Sequence, residues 1–76
     1  MNRPVKRSLT LKGHRTSVSL EDEFWRAFRE IAEEKSKPIN VLAAEIDAER
    51  GFETGLASAI RLHVLAHFRD RATKDQ

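Results

Sequence analysis

The stretch His14-Arg15-Thr16-Ser17-Val18-Ser19-Leu20 alternates between two kinds of side chain and runs directly into Glu21-Asp22-Glu23. A period of two is that of a β-strand, in which successive side chains point to opposite faces. Val18, Leu20 and the methyl of Thr16 fall on one face, and Arg15, Ser17 and Ser19 fall on the other. That second face is a comb of hydrogen-bond donors. A DNA major groove admits a helix or a two-stranded ribbon, and there arginine and hydroxyl side chains can meet base edges and phosphates. One strand alone makes no ribbon, so the pattern implies pairing with a second copy of the chain.

Upstream, the sequence leaves a choice open. Pro4 and the charges around it offer nothing to bury, so residues 1–7 are expected to be disordered and residues 1–13 to form a basic flexible arm. Leu9 and Leu11, however, alternate with Ser8, Thr10 and Lys12. Residues 8–12 could therefore be a second short strand, with Gly13 as the turn. If residues 12–15 close a hairpin, the ribbon is made within one chain; if Gly13 only ends an arm, the pairing is between chains.

Composition narrows the function classes. The 76 residues make one small domain, short enough to be marginal unless something staples it. There is no cysteine, which excludes disulfides, thiolate metal sites and cysteine nucleophiles and fits a reducing compartment. Oligomerisation is the remaining route to stability. The longest apolar run, Val41-Leu42-Ala43-Ala44, is far short of a membrane span, as is Val64-Leu65-Ala66, and no apolar signal core follows the first basic residues. A cytoplasmic protein is expected.

The net charge of +2 hides a segregation. Residues 1–20 carry +5 with no acid, residues 21–53 carry five bases against ten acids, and residues 54–76 carry four bases against two acids. A basic end joined to an acidic body suits a polyanion bound on one face; a solvated basic tail is the plainer alternative. The chain shows no repeat and no low-complexity segment.

After Leu20 the period becomes helical. Acids at 21–23 suit the positive end of a helix dipole, and Ser19 lies close enough to cap. Phe24, Phe28, Ile31 and Ala32 follow at helical spacing, predicting a helix over about 21–35. Pro38 marks a second start, Ile39, Leu42, Ala43 and Ile46 repeat the spacing, and Gly51 suits a C-terminal cap, giving a helix over about 38–50. In a third, about 55–70, Leu56, Ile60, Val64 and Phe68 form a stripe that Leu62 and Leu65 widen. A face that wide is expected to meet a second subunit, unless the two earlier helices and the strand cover it within one chain.

Other chemistry is thin. His63 and His67 share a helix face at a spacing that can hold a metal, but no third ligand accompanies them, and no metal or cofactor is expected. No nucleophile, base and electrophile converge, so no enzymatic activity is expected. Trp25 beside Phe24 reads as core rather than as a base-stacking platform.

The order Arg15-Thr-Ser-Val-Ser-Leu20, an acidic helix start, an amphipathic helix and a later helix containing Ser58-Ala-Ile-Arg61 resembles the ribbon-helix-helix family of bacterial DNA-binding proteins, the class of the Arc and methionine repressors. Gly13-His-Arg-Thr-Ser-Val-Ser-Leu-Glu21 with Phe24-Trp25 resembles more narrowly a subgroup of short bacterial members. The resemblance implies a mainly α-helical fold with one short N-terminal β-strand, in which two chains pair their strands into an intermolecular antiparallel ribbon. It departs in length, since the simple family has two helices and this chain has a third, either the 38–50 segment or the 55–70 segment. The expected layout is an arm over 1–13, a ribbon-helix-helix domain over 14–72 with its strand at 14–20, and a polar tail over 73–76.

The sites follow from both lines. Arg15, Ser17 and Ser19 are expected to meet bases, and Lys6, Arg7, Lys12 and His14 the DNA backbone. The resemblance adds a phosphate at the start of the second family helix, near Thr54, Gly55 and Ser58, or near Lys37 and Asn40 on the other alignment. It also implies a dimer core of Val18, Leu20, Phe24, Phe28, Ile60, Val64 and Phe68. The expected function is sequence-specific binding of double-stranded DNA by a homodimer acting as a transcriptional repressor or autoregulator. The competing expectation is a protein-interaction module, an antitoxin or adaptor, that uses the wide helical face; about six polar residues after the last helix are few for a toxin-neutralising arm.

Overall fold

A computed structural model describes residues 3–74. Two strands, β1 (Val5–Leu11) and β2 (His14–Leu20), precede three helices, α1 (Asp22–Glu34), α2 (Ile39–Glu49) and α3 (Leu56–Lys74). The strands form one antiparallel sheet, with Leu11 opposite His14 and Val5 opposite Leu20. The connection is the two residues Lys12 and Gly13, at φ 52° and 83°. Positive φ at both turn positions is what a type I′ turn requires, and its twist matches that of the flanking strands.

This corrects one expectation and settles an open choice. Residues 5–11 are a strand and not part of a flexible arm, so the chain has two N-terminal strands where one was expected, and the hairpin is the layout formed, with β2 paired to β1 along one edge. The reason is burial. Leu9 is 2% exposed and Leu11 half-buried, so β1 turns an apolar row inward beside Val18 and Leu20 of β2. That row offsets the entropy of ordering the strand, which Pro4 and the charges had suggested nothing would do.

The helices close over this inner face. Phe28, Ile31 and Ala32 of α1, Leu42, Ala43 and Ile46 of α2, and Ala59, Ile60 and Val64 of α3 join Leu9, Val18 and Leu20 in one cluster. α1 begins at Asp22 with Glu21 at the cap position and no side-chain capping bond, so Ser19 does not cap it. It ends where Ser36 adopts φ 54° and the Lys37 amide donates to the Ala32 carbonyl 2.9 Å away, a left-handed closure that redirects the chain to Pro38. Gly51 is not a left-handed cap; Arg50, with extended backbone, donates its amide to the Ile46 carbonyl and ends α2. α3 runs on to Lys74, so the expected tail at 73–74 is helical, and the rest of that tail lies outside the described residues.

The wide stripe of α3 divides in two. Ile60 and Val64 are buried and Phe68 half-buried against α1 and α2, whereas Leu62 and Leu65 face outward. All seven residues expected in a dimer core, Val18, Leu20, Phe24, Phe28, Ile60, Val64 and Phe68, are buried or half-buried within the single chain. The hairpin and helices of the one chain cover Val18, Leu20, Phe28, Ile60 and Val64 and leave Phe24 and Phe68 part-exposed. No described helix is long and apolar enough to cross a membrane.

Candidate nucleic-acid interface

In an antiparallel pair, directly opposite residues share a face. The register therefore sorts the hairpin into two surfaces. Lys6 opposite Ser19, Ser8 opposite Ser17 and Thr10 opposite Arg15 form the outer one, and all six are exposed. Arg7 opposite Val18 and Leu9 opposite Thr16 lie on the inner one. Arg15, Ser17 and Ser19 thus stand together, as the alternation of β2 predicted. Ser8 and Thr10 stand beside them without having been expected there, although their alternation with Leu9 and Leu11 was the signal for it.

The edges of the ribbon are tied to the helices. The Thr10 amide donates to Asn40 Oδ1 at 3.0 Å, fastening β1 to the start of α2. The Arg61 guanidinium donates to the Ser19 carbonyl at 3.2 Å and to Glu21 Oε1 at 2.8 Å, fastening β2 to α3. The same guanidinium lies 5.7 Å from the Phe24 ring centroid. Glu21's carboxyl is held below its usual range, first by its own backbone amide and then by Arg61. The outer surface is thereby presented on a braced support.

Arg7 departs from expectation. Its side chain, 17% exposed, turns under the ribbon, pairs with Asp22, donates to the Leu20 carbonyl at 3.4 Å and lies 5.5 Å from the Trp25 ring centroid. Its place in the inward row of β1 makes it a brace between hairpin and α1, and it drops out of the DNA-facing set. Trp25 packs at 6.3 Å from Phe28 and carries Arg7 on its ring, which is the structural role expected of it.

Around the turn, Lys12 and His14 are exposed. With Thr16, Ser17, Arg50 and Leu56 they border one depression that also holds Asp47, so the start of α3 lies near the turn end of the ribbon. Gly55 and Ser58 are exposed and Thr54 is half-exposed at that start. The Thr54 carbonyl is held by Arg50 at 2.9 Å. On the other alignment, Lys37 is paired with Glu45 at 2.8 Å and Asn40 is engaged with Thr10, which leaves that helix start less free for an anion.

The histidine pair does not assemble a metal site. His67 faces Glu34 at 3.1 Å, with Arg71 on the same carboxylate, while His63 Nε2 is buried without a hydrogen-bond partner. Among the described residues, no three His, Asp or Glu side chains come together in a way that would hold a metal ion.

Comparison with known proteins returned no matching curated protein and no matching solved structure. Residues 4–68, from just before β1 into α3, match the family model of the ribbon-helix-helix domain, so hairpin and all three helices lie within the matched region, and the chain belongs to the ribbon-helix-helix family, a non-enzymatic fold whose domains are generally DNA-binding transcription regulators.

Proposed function

We propose that the protein binds double-stranded DNA sequence-specifically as a homodimer and acts in the cytoplasm as a transcriptional repressor or autoregulator, occupying a promoter by inserting its ribbon into the major groove. One observation carries this: in a ribbon-helix-helix chain, the outer face of a two-stranded ribbon is entirely polar and exposed, with Arg15 on it and Lys12 at its tip. Arg15, Ser17 and Ser19 meet base edges. Lys6, Lys12, His14 and the α3 start at Thr54, Gly55 and Ser58 engage the phosphates, where free amides and the helix dipole favour an anion. The homodimer is supported by the outward row on α3, where Leu62 is 60% and Leu65 51% exposed.

The test is selection of bound duplexes from a randomised pool at physiological salt, followed by titration of the selected site. Arg15→Ala should relax base preference, whereas Lys12→Ala should weaken binding to all sequences alike and lower the salt slope by about one. Equal behaviour of the two variants would refute direct readout by Arg15.

A second reading, a protein-interaction module, is favoured by the same α3 row and by Phe52, which is fully exposed in the link between α2 and α3. A monomer in solution with no DNA affinity would decide for it.

A further inference from the structure

α2 carries more apolar surface than the core takes up. Leu42, Ala43 and Ile46 are buried inward, yet Val41, Ala44 and Ala48 form a second apolar row at helical spacing, with Val41 45% exposed. A helix that is apolar on both sides is ordinarily covered on both. Here the second row floors a depression of about 430 Å³ between α2 and the hairpin, walled by Thr10 and Lys12 on one side and by Asn40 and Glu45 on the other. Two alanines make the space, because a larger side chain at position 44 or 48 would project into it. The Thr10 amide on Asn40 Oδ1 ties the two walls together at the start of α2.

The charges on this rim are unequal. Glu45 is neutralised by Lys37, whose Nζ lies 2.8 Å from one carboxylate oxygen and 2.9 Å from the other. Lys12 is exposed, is set in place by the turn at φ 52°, and enters no ion pair among the described residues. An apolar floor with one uncompensated cation at its edge is complementary to an apolar body bearing one negative charge. We propose that this depression binds a small apolar carboxylic acid, an aromatic or branched-chain monocarboxylate, whose body lies on Val41, Ala44 and Ala48 and whose carboxylate pairs with Lys12. Ligand pockets run from about 300 to 1,000 Å³, so a volume near the low end takes one ring or a short chain and excludes a nucleotide or a long acyl chain. A protein partner would need about 800 Å² of contact on each side, far more than a row of three short side chains supplies.

The site has a consequence that rests on the proposed DNA binding. Lys12 stands at the tip of the hairpin, and its single charge serves either a DNA phosphate or the bound carboxylate. An occupied site withdraws that charge from the DNA, so the acid acts as an inducer. It weakens binding to all sequences alike and leaves base preference unchanged, because Lys12 contacts no base. Loss of one phosphate contact lowers the salt slope by about one. By linkage, bound DNA weakens the acid by the same factor.

The experiment titrates the full chain with para-isopropylbenzoate, and with the uncharged para-isopropylbenzamide, while NMR follows the methyl signals of Val41, Ala44 and Ala48. The acid should shift these signals saturably and bind about two- to fivefold more tightly than the amide, the size expected of an exposed ion pair. Lys12→Met, which keeps the length of the side chain, should bring the acid down to the affinity of the amide. Ala44→Leu, at a half-exposed position, should fill the depression and abolish the shifts while circular dichroism shows the fold retained. The site is overturned if the acid gives no saturable shift at these methyls, if acid and amide bind alike, or if Ala44→Leu binds as wild type does. The inducer role is read separately on the selected duplex, where saturating acid should lower wild-type affinity as much as Lys12→Met does and leave Lys12→Met unaffected. Acid that binds without moving DNA affinity overturns that role. A wild type that selects no duplex defeats the DNA-binding proposal instead, and the NMR titration still decides the site.

Discussion

Truncating Leu9 to alanine tests the element on which the interface rests. The side chain is 2% exposed and belongs to the core with Val18 and Leu20. Removing it deletes three buried carbons and leaves a cavity between hairpin and helices, and Leu→Ala changes at such sites cost about 2–5 kcal/mol. A 76-residue domain has on the order of 4–11 kcal/mol in total. The variant should therefore lose from about a fifth of its stability to all of it, and each kcal/mol lowers the melting midpoint by about 4–8 °C in a domain of this size. Urea unfolding followed by Trp25 fluorescence, at fixed chain concentration, measures it directly; Trp25 lies beneath Arg7 of β1 and reports hairpin docking. Leu9→Met, close in volume, should cost less than about 1.5 kcal/mol and stay folded if the alanine variant does not. Val5→Ala, at a half-exposed position, should change stability by no more than about 0.5 kcal/mol. If Leu9→Ala matched Val5→Ala, β1 would not be docked, and the single-chain ribbon would be wrong.

Further outcomes follow from the same structure. Gly13→Ala should cost about 1–2 kcal/mol in thermal unfolding, because φ is 83° there while an added Cβ meets nothing, so the whole penalty is backbone conformation. Arg61→Gln should raise the Glu21 carboxyl titration midpoint, followed by carbon NMR, only part of the way toward its ordinary value, because the backbone amide that contributes most remains. His63 titrates below its ordinary value of 6.5, through burial first and then Lys35 and His67, against the opposing Glu49 and Glu45. A base whose folded pKa is depressed contributes stability that is full above the unfolded pKa and lost as pH falls through the folded one. Wild type should therefore lose stability on acidification from about pH 7 through the range below 6.5, and His63→Gln should flatten that slope in denaturation curves taken across the window.

What the sequence disclosed depended on how much context each signal needed. β2 and the three helices were legible because their apolar residues recur at a fixed period over at least seven residues, and a period is visible without neighbours. β1 was ambiguous because Leu9 and Leu11 gave only two apolar beats, and Lys12-Gly13 is not among the strongest turn dipeptides; what decides it is the burial of Leu9 against helices far along the chain. Arg7 could not be placed for the same reason. A cation in a basic segment looks like a DNA contact until its position in the register turns it toward Asp22 and Trp25. The division of the α3 stripe was hidden too, since Val64 and Leu65 differ in burial only through where α1 and α2 lie.

The single-chain ribbon changes what association would contribute. Where a ribbon is built from one strand of each partner, the DNA-reading surface exists only in the dimer, and folding, dimerisation and recognition are one equilibrium. Here β1 and β2 close through a two-residue turn, with Asn40 and Arg61 holding their outer edges to the helices. The hairpin is therefore ordered before any second chain arrives, and the entropy of ordering it is met in folding rather than in binding. Leu62 and Leu65 lie on α3, on the helical layer behind the ribbon rather than on its strands. A dimer formed through them would leave each ribbon intact and serve to space two of them, so that affinity gains come from effective concentration along the DNA and not from assembling the reading face. Breaking that contact with Leu62→Glu should then lower affinity for a two-site operator while leaving the base preference of each subsite unchanged in duplex selection. Loss of base preference together with the dimer would place the reading face across two chains after all.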